Sequence, residues 1–153
     1  MPFADLATGA RLYYDDTGGD KTPVIVVHGF LGTAELHFPR VTEWLKPNYR
    51  VIGPTLRGYG QSTPKPRTFT PDFYRQDAAD VLALMDALNI EQAHIMGYSD
   101  GGEVAIIAGG TQPERRAARA VRPHSRRRWR QRSAPPRAIV PARTESVASP
   151  PHQ

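Results

Sequence analysis

The sequence predicts an α/β fold built on a mostly parallel, doubly wound sheet, and three observations carry that prediction. Stretches of strand character alternate with stretches of helical periodicity over residues 1–112, the order expected when helices form the crossovers between parallel strands. Pro23-Val24-Ile25-Val26-Val27 is an unbroken β-branched run, as a strand buried on both faces requires. Gly97-Tyr98-Ser99-Asp100-Gly101-Gly102 joins the apolar run Ala93-His94-Ile95-Met96 to the small-residue stretch Glu103 to Gly109, which marks a tight passage from strand to helix.

The elements follow in order. Leu6 to Asp16, with Arg11-Leu12-Tyr13-Tyr14 between the turn signals Thr8-Gly9 and Gly18-Gly19, reads as a hairpin. After the Pro23–Val27 strand, a helix is predicted from about Ala34 to Leu45, with Phe38, Val41, Trp44 and Leu45 on one face, ended by Pro47-Asn48. Tyr49 to Gly53 is the next strand, followed by a Pro- and Gly-rich loop to Thr70. Thr70-Pro71-Asp72 predicts a helix start: hydroxyl as cap, proline in the first turn, an acid at the positive end of the dipole. Phe73, Val81, Leu84, Met85 and Leu88 keep the helical period, Asp77 interrupts it with an acid, and Asn89 closes the helix.

The corner at Ser99 has the form of a nucleophile elbow. Such a corner strains the serine backbone and needs minimal residues two before and two after it, where strand and helix approach. Gly97 and Gly101 stand there. A five-residue pattern of this kind also fits an ordinary Gly-rich turn. Two further segments decide between the readings: the Pro23–Val27 strand runs straight into His28-Gly29-Phe30-Leu31-Gly32-Thr33, and the Tyr49–Gly53 strand leads into Leu56-Arg57-Gly58-Tyr59-Gly60-Gln61-Ser62.

In this order the segments resemble the α/β-hydrolase family over about residues 3 to 114: an apolar strand ending in H-G, an R-G-x-G-x-S loop and the G-x-S-x-G elbow. The double glycine and the aspartate after the serine are most similar to the valacyclovir-hydrolase-like and general esterase branches. The resemblance implies that Ser99 is the nucleophile, and that a small-molecule acyl substrate forms an acyl-enzyme on it. It implies an oxyanion hole from the backbone N–H groups of Asp100 and Phe30, with Leu31 as the alternative second donor. It makes His28 a shaper of the oxyanion loop rather than a base, with Gly29 beside it, and Arg57 a brace of its own loop. His94 reads as a packed core residue. Serine at position 99 points away from the dehalogenase and epoxide-hydrolase chemistries, which use aspartate, and toward ester-type hydrolysis. Perhydrolase, thioesterase, amidase and carbon–carbon-bond hydrolase chemistries remain open. Asp100, a charge beside the nucleophile, suggests substrates bearing a cationic group. No cofactor and no metal is expected.

The family's acid and histidine follow the serine in sequence, at later strand ends. Here Asp100 and Glu103 belong to the elbow and its helix, and Glu114, Glu145, His124 and His152 have no strand context. From residue 113 the composition changes. Residues 1–112 carry nine Lys+Arg against thirteen Asp+Glu, a net −4, whereas residues 113–153 carry eleven Arg, no Lys, two Glu and seven Pro, a net +9. The second segment is too poor in apolar residues to offset its ordering entropy, and disorder is expected there.

Two domain-level regions follow: 1–112, the N-terminal portion of an α/β-hydrolase domain, and 113–153, a basic Arg/Pro-rich tail. The abrupt shift matches GC-rich coding DNA translated out of frame, so the expectation is a truncated, inactive hydrolase. The competing reading is a non-catalytic protein whose Arg-rich tail binds nucleic acid or an acidic surface; the tail lacks repeats, lysine and any nucleic-acid module, which disfavours it. The chain has no cysteine, which excludes disulfides, thiolate chemistry and Cys-based zinc sites. With no leader pattern and no apolar run near the length of a membrane span, a cytoplasmic location is expected.

Overall fold

The computed structural model describes residues 3–115. The tail beyond, with His124, Glu145, His152 and the disorder expected of it, lies outside the described residues.

Five strands form one mixed sheet in the order β1-β2-β4-β3-β5. β1 (Phe3–Asp5) and β2 (Arg11–Asp16) pair antiparallel, with Phe3 opposite Tyr13, and β2 continues antiparallel onto β4 (Arg50–Pro54). β3 (Pro23–Val27) lies at the centre, parallel to β4 on one side and to β5 (His94–Gly97) on the other, with Ile25 opposite both Ile52 and Ile95. The predicted hairpin exists but starts earlier. Leu6 to Ala10 form its turn, closed by Leu6 N–H to the Ala10 carbonyl at 2.8 Å, and the first strand precedes Leu6.

Alternation along β3 sorts the core into two layers. Ile25 and Val27 pack with Ile52 and Ile95 against α3 (Phe73–Ala87) and α4 (Asp100–Thr111), burying Val81, Leu84, Met85, Val104 and Ala108. Val24 and Val26 pack with Val51 against α1 (Ala34–His37) and α2 (Pro39–Leu45), burying Ala34, Phe38 and Leu45. Helices therefore cover both faces, the doubly wound arrangement the sequence predicts.

The single helix expected over Ala34 to Leu45 is two. Phe38 adopts φ −121°, ψ 22° between them, because a residue before proline is pushed out of the α region and Pro39 has no N–H to continue the ladder. Phe38 and Leu45 are buried, but Trp44 is 77% exposed. At the start of α3 Thr70 is not the cap. Its hydroxyl bonds the Asp72 carboxylate at 2.7 Å, and Asp72 occupies the cap position without a side-chain bond to the helix. Asn89 closes α3 in the left-handed region, φ 54°. Among the described residues no helix is long and apolar enough to cross a membrane, and no cluster of His, Cys, Asp and Glu is suited to a metal.

Candidate active site

Ser99 stands between β5 and α4 with φ 53° and ψ −123°. A non-glycine residue held at positive φ costs about 1–3 kcal/mol and persists only where surrounding packing dictates it. That packing is backbone on backbone. A Cβ on Gly97 would run into the Gly101 carbonyl, and one on Gly101 into the carbonyls of Val27 and His28. The Tyr98 N–H bonds the Val27 carbonyl at 3.1 Å and the Gly102 N–H bonds the Ser99 carbonyl at 2.7 Å, so the corner is tied to β3 and the first turn of α4 closes behind it. The serine side chain is left exposed.

The turn after β3 faces this corner. A Cβ on Gly29 would lie 3.0 Å from the Tyr98 carbonyl oxygen and 3.1 Å from Ser99 Cβ, which places the Gly29-Phe30 backbone against the serine. Leu31, at φ 52°, is a second strained residue. The Phe30, Leu31 and Asp100 N–H groups make no backbone hydrogen bond among the described residues.

His28 is fully buried. Its Nε2 accepts the Leu56 N–H at 2.9 Å, and its Nδ1 lies 2.7 Å from the Gly29 carbonyl oxygen. An imidazole nitrogen that accepts an N–H carries no proton, so the ring is the neutral Nδ1–H tautomer and donates to Gly29. Burial pushes its pKa down to about 4. Both nitrogens are engaged with backbone, an arrangement suited to shaping the turn and unsuited to removing a proton from Ser99. His94 is half-buried on β5, edge-on to Tyr49 at 5.8 Å. Among the described residues no histidine hydrogen-bonds the Ser99 hydroxyl.

The loop after β4 is anchored by two buried ion pairs. Arg57 forks onto Asp80 of α3 with both contacts at 2.6 Å, and Arg67 forks onto Asp77 at 2.7 and 2.5 Å. Arg57 thus braces its loop to a helix rather than to itself, and Asp77 is the acid that interrupts the α3 period. Ser62 closes the R-G-x-G-x-S segment by donating to the Thr55 carbonyl at 2.6 Å and accepting the Tyr13 N–H at 2.9 Å.

Two features escape the sequence. An aromatic file runs Phe30, Phe69, Phe73, Tyr74 with successive centroid separations of 5.6, 5.4 and 3.9 Å. It ends beside Asp100: burial, followed by the Asp100 charge, raises the Tyr74 hydroxyl's pKa. The other is His37, whose Nδ1 accepts the Gly29 N–H at 3.1 Å. No periodicity distinguishes His37 from a solvent-facing helix residue, and the aromatic file joins three separate segments.

Comparison with known proteins bears on the same residues. A family model described as alpha/beta hydrolase fold matches residues 22–134. The chain is 38% identical over 106 residues to the serine hydrolase BPHL of Homo sapiens, covering 69% of this chain and 36% of that protein. It is 32% identical over 124 residues to a non-heme chloroperoxidase of Burkholderia pyrrocinia, covering 79% and 44%. The structure is similar to that of a hydrolase from Pseudomonas aeruginosa PA01, with a TM-score of 0.67 and 29% identity, over 74% of this chain and 42% of that one. The chain therefore spans less than half the length of these relatives. With the mixed sheet, the strand-to-helix corner and the family match in agreement, the chain belongs to the α/β-hydrolase family.

Proposed function

We propose that residues 3–115 carry the nucleophile side of a serine hydrolase site. In this reading the Ser99 hydroxyl oxygen attacks the carbonyl carbon of a carboxylic ester or related acyl compound, giving a tetrahedral oxyanion that takes hydrogen bonds from the Phe30 and Asp100 N–H groups. Collapse expels the alcohol, which leaves with the proton given up by the Ser99 hydroxyl, and the acyl group stays on Ser99. The observation that carries the reading is the serine held at φ 53° between two glycines that admit no side chain, with the Gly29–Phe30 backbone against it.

No described acid–histidine pair faces Ser99, and we propose that this chain on its own is catalytically silent, its nucleophile without a general base among the described residues. Incubation with a fluorophosphonate, followed by mass spectrometry, tests both halves. Slow modification confined to Ser99, without multiple turnover of an activated ester, is expected. Modification unchanged by Ser99→Ala would remove the nucleophile assignment; multiple turnover abolished by Ser99→Ala would remove the silent state.

The substrate class follows from the carboxylate at the end of the aromatic file. An acyl compound bearing an ammonium group would place its charge against Asp100. The relevant comparison is phosphonylation of Ser99 by an amino-bearing and a neutral phosphonate, with the preference for the former lost in Asp100→Asn.

A further inference from the structure

Three parts of the candidate site meet at the ring of His37, the last residue of α1. Its Nδ1 accepts the Gly29 N–H at 3.1 Å. The ring stands edge-on to His28 at 6.1 Å and to Tyr98, the neighbour of Ser99, at 5.6 Å. Gly32 closes over it so tightly that a Cβ there would overlap the imidazole. The Gly29 N–H and the Phe30 N–H sit on either side of the Gly29 Cα, and that Cα lies against Ser99. His37 holds the Gly29 N–H, and His28 Nδ1 holds the Gly29 carbonyl, which shares the peptide plane of the Phe30 N–H, so the two rings together set the direction of the Phe30 N–H.

We propose that His37 is a positioning residue, holding the Gly29–Phe30 backbone toward Ser99 through an unprotonated Nδ1, and that protonation of its ring releases the turn. The inference rests on the proposed function only in giving the turn an oxyanion role. Accepting an N–H requires a bare nitrogen, and an imidazolium would set one donor against another. The cavity beside the ring is lined by Leu36, Phe38, Val41, Met96, Gly97 and Tyr98, and the adjoining His28 feels the charge of Arg67. Phe30, Leu31 and Gly32 of the turn are uncharged, as are Leu36, Phe38 and Val41 of the helical segment and Met96 and Gly97 of β5. The titratable groups facing it are His28, neutral with both nitrogens bonded to backbone, and the Tyr98 phenol. Glu35, on α1 itself, lines a separate cavity with Asp15, Asp16 and Glu43.

The test is solution NMR on the isotopically labelled full chain, following the Gly29 and Phe30 amides and the His37 ring as pH is lowered from about 8 to about 5. The expected result is a Gly29 amide proton that moves upfield with the midpoint of the His37 ring. His37→Asn, whose side-chain carbonyl can replace Nδ1 as acceptor, should keep that amide downfield and flat across the range. His37→Leu should show the acid-form shift throughout. The rate of Ser99 phosphonylation in the natural chain, divided by that in His37→Asn at the same pH, should fall with the same midpoint. A Gly29 amide indifferent to the His37 titration, or one that moves equally in His37→Asn, overturns the proposal. Absence of any Ser99 modification counts against the proposed function alone, because the amide titration decides this inference by itself. Should His37→Leu not fold, the natural chain and His37→Asn still decide it.

Discussion

On the elbow side of the candidate site, position is set by backbone against backbone: Gly97, Gly101 and the end of β3 touch without intervening side chains. On the turn side, position is set by side chains reaching in from a distance. His28 is bonded to Leu56 of the following loop and His37 reaches back to Gly29, while the loop itself hangs on α3 through Arg57 and Asp80. Both sides hold a strained residue, Ser99 in one and Leu31 in the other. The difference is conditional against unconditional geometry. The elbow is shaped by close backbone approach, whereas the turn is held by hydrogen bonds to the ring nitrogens of His28 and His37.

Breaking the ion pair should separate the two sides most sharply. Asp80→Ala leaves Arg57 buried without its partner and also removes the acceptor of the Thr8 hydroxyl. A loss of about 3–5 kcal/mol is expected, read as a fall in the urea midpoint, with hydrogen exchange accelerating in the turn and its loop before the elbow. Uniform acceleration across both would show that the sides are not independent.

Acid should come next in size. The folded pKa of His28 is about 4 against an ordinary 6.5, so between these values the unfolded chain binds a proton that the folded chain does not, and stability falls as pH falls. The full loss is about 3 kcal/mol, developing below about pH 6.5 and complete near pH 4. Denaturant titrations across that window check it; a chain equally stable at both ends would contradict the bonding assigned to His28.

The smallest effects compare two glycines of one helix. Gly101→Ala forces a methyl into the Val27 carbonyl and should cost about 1–3 kcal/mol. Gly110, exposed, with nothing near the position of its Cβ, should gain up to about 1 kcal/mol on replacement by alanine through helix propensity alone. Thermal midpoints moving in opposite directions would confirm that the first glycine is required by close approach and the second is not.

The same contrast governs what the sequence discloses. β3, the Ser99 corner and the buried face of α3 were legible because each is written in consecutive residues or a fixed period. The break at Phe38 is written in Pro39 but masked by an apolar stripe that runs across it, and the same stripe gives the exposed Trp44 the spacing of a core residue. The functions of His37, Asp77 and Asp80 were not legible. Each depends on a partner in another segment, and a polar residue on a helix looks alike whether it meets water or a guanidinium.

The central position of β3 has a consequence for synthesis. Its first parallel partner, β4, ends at Pro54, but its second, β5, begins only at His94. At about 5–20 residues per second, the growing chain spends roughly two to eight seconds with one edge of its most apolar strand unpaired. The N-terminal half of the sheet is thus a waiting template, and the vulnerable moment for this chain is the interval before the Ser99 corner leaves the ribosome.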